Sequence, residues 1–135
     1  MIFAGLKALA QSRISWDHWE GLIRRNGITI DRPRGSQHPE FSQIVYPIDY
    51  GYVNETLATD GGALDLFCGT AGTGLAGTVI AVDHRRGDTE FKLLFDCSPE
   101  EIYLVNGFIN FDRDLMEGVL VLRRTMAEIR AMAGT

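Results

Sequence analysis

Cysteine, proline, positive charge and long apolar runs are all scarce in this 135-residue sequence. Cys68 and Cys97 are its only cysteines, far apart and without CxxC or HxxxH spacing, so neither a disulfide framework nor a zinc site is signalled. Two reduced, buried thiols are expected instead. Thirteen Lys and Arg face eighteen Asp and Glu, a net charge of −5, which argues against a broad polyanion-binding surface; nucleic acid is not an expected partner. A few local cations or a bound metal can still reverse the field inside one cleft, so a small anion stays open as a ligand. In the opening stretch "MIFAGLKALAQSR" the apolar run is short and broken by Lys7, so neither a signal peptide nor a membrane span is expected there. The expectation is a cytoplasmic protein with no membrane partner. No GK[ST] follows a glycine loop and no GxSxG occurs, so a P-loop and a hydrolase elbow are unsupported.

What is present is the composition of a soluble globular protein, 45% hydrophobic and 23% charged. The length suits one domain over 1–135, able to bury roughly two-thirds of the surface its unfolded chain exposes. Ile2, Phe3, Leu6, Leu9 and Ala10 are spaced as on a short amphipathic helix. "GITIDR" reads as a strand, "RPRGSQHPEF" as a loop, and "QIVYPIDYGYV" as extended chain limited by Pro47 to an edge or bend. "ALDLFC", "GTVIAV" and "EFKLLFD" are three more strand candidates, with "DHRRGD" a hairpin loop. At "SPEE", Ser98 can cap, Pro99 suits the first helical position and Glu101 completes a capping box, so a helix begins there. The spacing of Leu115, Val119, Leu122, Met126, Ile129 and Met132 predicts a second amphipathic helix over 115–132. Strands first and helices last point to an α+β fold built on a small sheet or barrel. Trp16 and Trp19 read as packing residues, and the doublets Arg24–Arg25 and Arg123–Arg124 as solvated faces.

"GTGLAG" matches the GxGxxG dinucleotide pattern, but the strand-like "TVIAV" follows it where that motif needs a helix, so the match is set aside. The aspartates carry more. Asp60, Asp65, Asp83 and Asp88 all fall at the ends of strand candidates or in the loops joining them. Two hairpins packed side by side could gather them, and close carboxylates stay ionised only with cations, for which Mg²⁺ is the natural oxygen-loving partner. Spacing alone leaves the alternative open, since a loop Asp is commonly a turn residue.

The run "YPIDYGYVNETLATDGGALDLF" resembles the signature of the soluble, family I inorganic pyrophosphatases, close to Y-P-x-x-Y-G-Y-x-x-x-T-x-x-x-D-G-D-P-x-D. It matches at Tyr46, Pro47, Tyr50, Gly51, Tyr52, Thr56, Asp60, Gly61 and Asp65. Asp31–Arg32 resembles the family's strand-end arginine, Glu20 stands at an acidic position, and Asp83 and Asp88 keep the spacing of its second metal loop. "FINFDRDL" resembles its helix segment F-F-x-x-Y-K-x-L, so the resemblance runs over about residues 16–117. It implies a small five-stranded closed β-barrel flanked by helices, assembled as a homo-oligomer, that cleaves pyrophosphate or a related phosphoanhydride with water activated by Mg²⁺. Asp60, Asp65, Asp83 and Asp88 would hold the metal, and Arg32, Tyr50, Arg113 and Glu20 would serve the substrate. Asp65, Tyr50 and Arg32 would be the catalytic group.

The departures from the pattern qualify the chemistry. Gly62 stands where the family has the aspartate that deprotonates the attacking water, and Ala63 replaces the following proline. His18 and Glu90 stand where lysines are expected, with Lys92 two residues beyond Glu90 as a substitute, and Asp112 replaces the tyrosine before Arg113. Losing a positioned base costs about 10²- to 10⁴-fold in rate. Two further readings therefore stand beside hydrolysis of pyrophosphate: a non-catalytic domain that binds metal and a phosphorylated ligand, and a hydrolase of a different phosphate compound.

Overall fold

A computed structural model describes residues 14–57 and 63–134. The helix expected over residues 2–10 lies outside these, as do Asp60, Gly61 and Gly62. The chain runs α1 (Trp16–Asn26), β1 (Ile28–Arg32), β2 (Asp49–Val53), β3 (Leu64–Cys68), β4 (Leu75–Asp83), β5 (Asp88–Phe95), α2 (Pro99–Ile109), β6 (Met116–Leu122) and α3 (Met126–Met132). Among the described residues no helix is long and apolar enough to cross a membrane.

The strands make one sheet in the order β1-β2-β3-β5-β4-β6, antiparallel except where β3 runs parallel to β5. The α+β reading holds, but the sheet has six strands and is not closed into the expected five-stranded barrel. The sixth strand is formed by residues 116–122. Helical spacing assigned them to a helix, yet Gly118 is a poor helix residue, whereas "VLVL" suits a pleated surface. They pair with β4 from Gly77↔Leu122 to Asp83↔Met116, adding a sixth strand at the edge. The helix that remains begins only at Met126, where Thr125 and Glu128 form a capping box. The same device starts α2, with Ser98 and Glu101 capping each other and Pro99 in the first turn, as the sequence predicts.

Strand alternation distributes the core over two faces. Leu66 and Leu93 point towards α1 and join Ile23, Val53 and Leu75 in one cluster, against which Trp16 and Trp19 pack. Their neighbours Phe67 and Leu94 point the other way and meet Ile102, Val105 and Ile109 of α2 and Ile129 of α3. Burying each of these aliphatic side chains is worth about 1.5–3 kcal/mol, enough to fix which residues of β3 and β5 face which helix.

One glycine is dictated by the sheet. A Cβ on Gly51 would lie 1.8 Å from the carbonyl oxygen of Thr29, beside the register irregularity between Ile30 and Arg32. The central residue of the "YGY" triplet thus lets β1 and β2 cross in contact. The "GTGLAG" run does not precede a helix, because β4 starts at Leu75.

Candidate functional site

The face of the sheet under α2 carries a cavity of about 570 Å³, within the size range of small-molecule sites. Alternation sets its polar floor: Asp65 shares a face with Phe67 on β3, while Glu90 and Lys92 share one with Leu94 on β5. Arg32 from β1, paired in register with Tyr50 of β2, forms one wall, and the β4–β5 hairpin contributes Asp83, Arg85 and Arg86.

Lys92, one of only two lysines in the chain, lies at the centre with its side chain 8% exposed. Its Nζ donates to the Tyr50 hydroxyl at 2.9 Å and lies 3.4 Å from Asp65 Oδ2 and 3.6 Å from Glu90 Oε2. Burial works against its charge, but Tyr50, Asp65 and Glu90 outweigh it and push its pKa above the ordinary value, so the ammonium stays protonated. Tyr50 is pushed up as well, first by burial and then by the nearby Asp65 carboxylate, against the opposing charge of Lys92, whose Nζ donates to its hydroxyl. The phenol is therefore neutral at any physiological pH.

Arg32 is held differently. Its Nη1 donates to the Tyr46 hydroxyl at 2.6 Å, and the guanidinium lies 5.6 Å from the Tyr46 ring centre and 6.0 Å from that of Tyr50. Among the described residues no carboxylate lies within salt-bridge distance of it, whereas Arg85 is paired with Glu40 at 2.9 Å and Arg86 with Asp88 at 3.2 Å. Burial and the Arg32 charge lower the pKa of His38, which stacks on Tyr46 with the rings 6° from parallel.

Asp65, Tyr50, Arg32 and Asp83 thus come together around one cavity, and of the other expected site residues the described ones, Asp88, Arg113 and Glu20, do not line it. Asp83 is buried and serves the hairpin turn: its Oδ1 accepts the amides of Arg85 and Arg86 at 3.0 and 3.3 Å. Asp88 is opposite it in register but faces Arg86. Arg113 lies in a separate hollow with Asn106 and Gly118. Glu20 is on α1, against the opposite face of the sheet, where it accepts the Leu75 amide at 2.9 Å and Arg123 Nη1 at 3.0 Å. Arg123 also binds Asp17, so this arginine, with its side chain 14% exposed, is part of a clamp and not the solvated face expected of the doublet. His84 bonds Glu117 at 2.8 Å.

Whether these residues fit a divalent ion can be judged from the donor set. Among the described residues no three His, Cys, Asp or Glu side chains are grouped to hold one. Asp65, Asp83 and Asp88 each already face a cationic side chain, namely Lys92, Arg85 and Arg86. As arranged, these three do not form the Mg²⁺ cradle that the sequence resemblance implies. Residues missed by sequence reasoning are Arg85, Arg86 and His38, whose only signal was their place in loops between strands. Lys92 was visible as the lysine displaced by two positions, which keeps it on the cavity face of β5.

No family model matches the chain, and no curated protein matches it. Among solved structures it is similar to an inorganic pyrophosphatase from Coxiella burnetii, at 16% identity and a TM-score of 0.49 over 78% of this chain and 87% of that one. It is also similar to an inorganic phosphatase from Anaplasma phagocytophilum, at 12% identity and a TM-score of 0.49 with the same coverage.

Proposed function

We propose that the cavity binds a small phosphate-containing anion and that Arg32 is its anchor. The observation that carries this reading is a guanidinium inside the cavity, steadied by Tyr46 and two aromatic faces, with no carboxylate in salt-bridge range among the described residues. Such a fork keeps N–H donors for two phosphate oxygens at once. On the floor, Lys92 offsets part of the negative charge of Asp65 and Glu90 and donates to the Tyr50 hydroxyl. Phe108 packs against Tyr46 and Phe67 beside the floor.

A second reading, hydrolysis of a phosphoanhydride such as pyrophosphate with Mg²⁺ on Asp60, Asp65, Asp83 and Asp88, is favoured by two observations. The "YPIDYGY" and "DGGALD" positions match the pyrophosphatase signature, and Asp65 and Asp83 line one cavity. It requires Asp65 to release Lys92, Asp83 its hairpin amides and Asp88 Arg86, and it lacks the base that Gly62 displaces; no step is assigned to the ion on that account.

Calorimetric titration with pyrophosphate, in EDTA and in Mg²⁺, tests the first reading, and phosphate release measured in parallel tests the second. Binding in EDTA that Arg32→Gln abolishes supports the anion site. Absence of binding under both conditions refutes it. Turnover that needs Mg²⁺, disappears in Asp65→Asn and rises in Gly62→Asp would establish hydrolysis instead.

A further inference from the structure

We propose that the ligand of this cavity is an organic phosphate with an apolar group, held head-first on Arg32; the inference rests on the reading of the cavity as a phosphate site. Inorganic pyrophosphate is far smaller than the ligands that cavities of about 570 Å³ enclose. It would engage the cationic pole and leave the remainder to water. That remainder is not built for a second anion: Arg85 and Arg86 also line the cavity, but they are paired with Glu40 and Asp88, and Arg85 lies over the ring of Phe41. Phe108, Phe111, Leu115 and Met116 line it too, and Phe111 and Val45 are 82% and 49% exposed. Single exposed apolar residues are ordinary, but here they gather around a concave surface whose other pole is an arginine.

The polarity of the two ends fixes the orientation and the chemical class. Asp112, next to Phe111 in the chain, also lines the cavity, so a second phosphate at that end would meet a carboxylate. Polar side chains that could read the edges of a nucleobase are few on this wall, Gln43 being one. An aryl or alkyl group is what the wall accommodates, with binding gained from apolar area removed from water. Tyr46 links the two regions: its hydroxyl accepts from Arg32, while its ring packs 5.0 Å from that of Phe108.

The test compares phenyl phosphate with methyl phosphate, which share headgroup and charge, by calorimetric titration of the intact chain. Phenyl phosphate is expected to bind at least about tenfold more tightly, and Phe111→Ser, at a site exposed enough to leave folding intact, to narrow that ratio without weakening methyl phosphate. Equal affinities for the two compounds would overturn the inference and leave the phosphate site standing. If methyl phosphate, phenyl phosphate and pyrophosphate all fail to bind, the phosphate reading falls and the inference with it.

Discussion

Replacing Lys92 by methionine tests the electrostatics of the cavity floor directly. The change keeps most of the volume of the stem and removes the ammonium that lies 3.4 Å from Asp65 and 3.6 Å from Glu90. Removing one member of a buried ion pair costs about 3–5 kcal/mol, because the other charge is left in a poor solvent. Asp65 is not fully buried, its side chain being 24% exposed, so water recovers part of that cost. The expected destabilisation is about 2–3 kcal/mol, a fall in Tm of roughly 10 °C for a domain of this size. Burial opposes the ammonium, but its neighbours outweigh it and raise its pKa above the ordinary 10.5, so its contribution is complete below pH 10.5 and disappears only as pH rises through the elevated value. The cost of Lys92→Met should therefore be the same at pH 6 and pH 9. Urea denaturation of wild type, Lys92→Met, Asp65→Asn and the double variant gives the coupling: the double should be at least about 1 kcal/mol less destabilised than the sum of the singles. A single-variant effect below about 0.5 kcal/mol, or singles that simply add, would refute the picture of an ammonium seated between carboxylates.

Three further outcomes follow from geometry. Glu20→Gln should cost about 1–2 kcal/mol at pH 7 by weakening the clamp to Leu75 and Arg123. Burial pushes the Glu20 carboxyl up, but the Leu75 amide, Arg123 and Arg24 hold it below its ordinary 4.5; its stabilisation is present above pH 4.5 and lost as pH falls through the lowered value, so the variant's denaturation midpoint should fall less steeply with acid. Gly51→Ala, which would set a Cβ 1.8 Å from the Thr29 oxygen, should yield insoluble protein or lose more than about 4 kcal/mol, and a native-like melting curve would contradict the β1–β2 crossing. Burial raises the Cys68 thiol to about 11 and Cys97 further, so iodoacetamide at pH 7 should modify native protein far more slowly than urea-unfolded protein.

Local chemistry made much of the fold legible, and non-local pairing hid the rest. The Ser98–Glu101 box and the alternation in "ALDLFC" and "EFKLLFD" are written in adjacent residues, and the structure has the helix and strands they predict. Residues 116–122 carry spacing compatible with a helix; what decides for a strand is the exposed flank of β4, which no local pattern records. Sheet closure was equally invisible, since it depends on whether the outer strands meet. At the site, Tyr46 and Tyr50 of the "YPIDYGY" run line the cavity. The aspartates were harder, because an acidic residue beside a glycine-containing turn looks the same whether it awaits a cation or, like Asp83, holds amides of its own hairpin. Glu20 was misplaced for a similar reason: sequence separation from Arg32 says nothing about which side of the sheet α1 occupies.

The bond between Glu20 and Arg123 spans 103 positions of chain. During synthesis the amino-terminal helix leaves the ribosome long before the arginine that fastens it exists, and β4, almost wholly apolar, must wait for β6 to cover its outer flank. At elongation rates of about 5–20 residues per second that interval lasts several seconds, during which an unpaired apolar strand can find other nascent chains. Slow, late closure is the kinetic consequence of such distant pairing. For this protein, yield in a cell should depend on chaperone supply and growth temperature more steeply than its final stability alone would suggest.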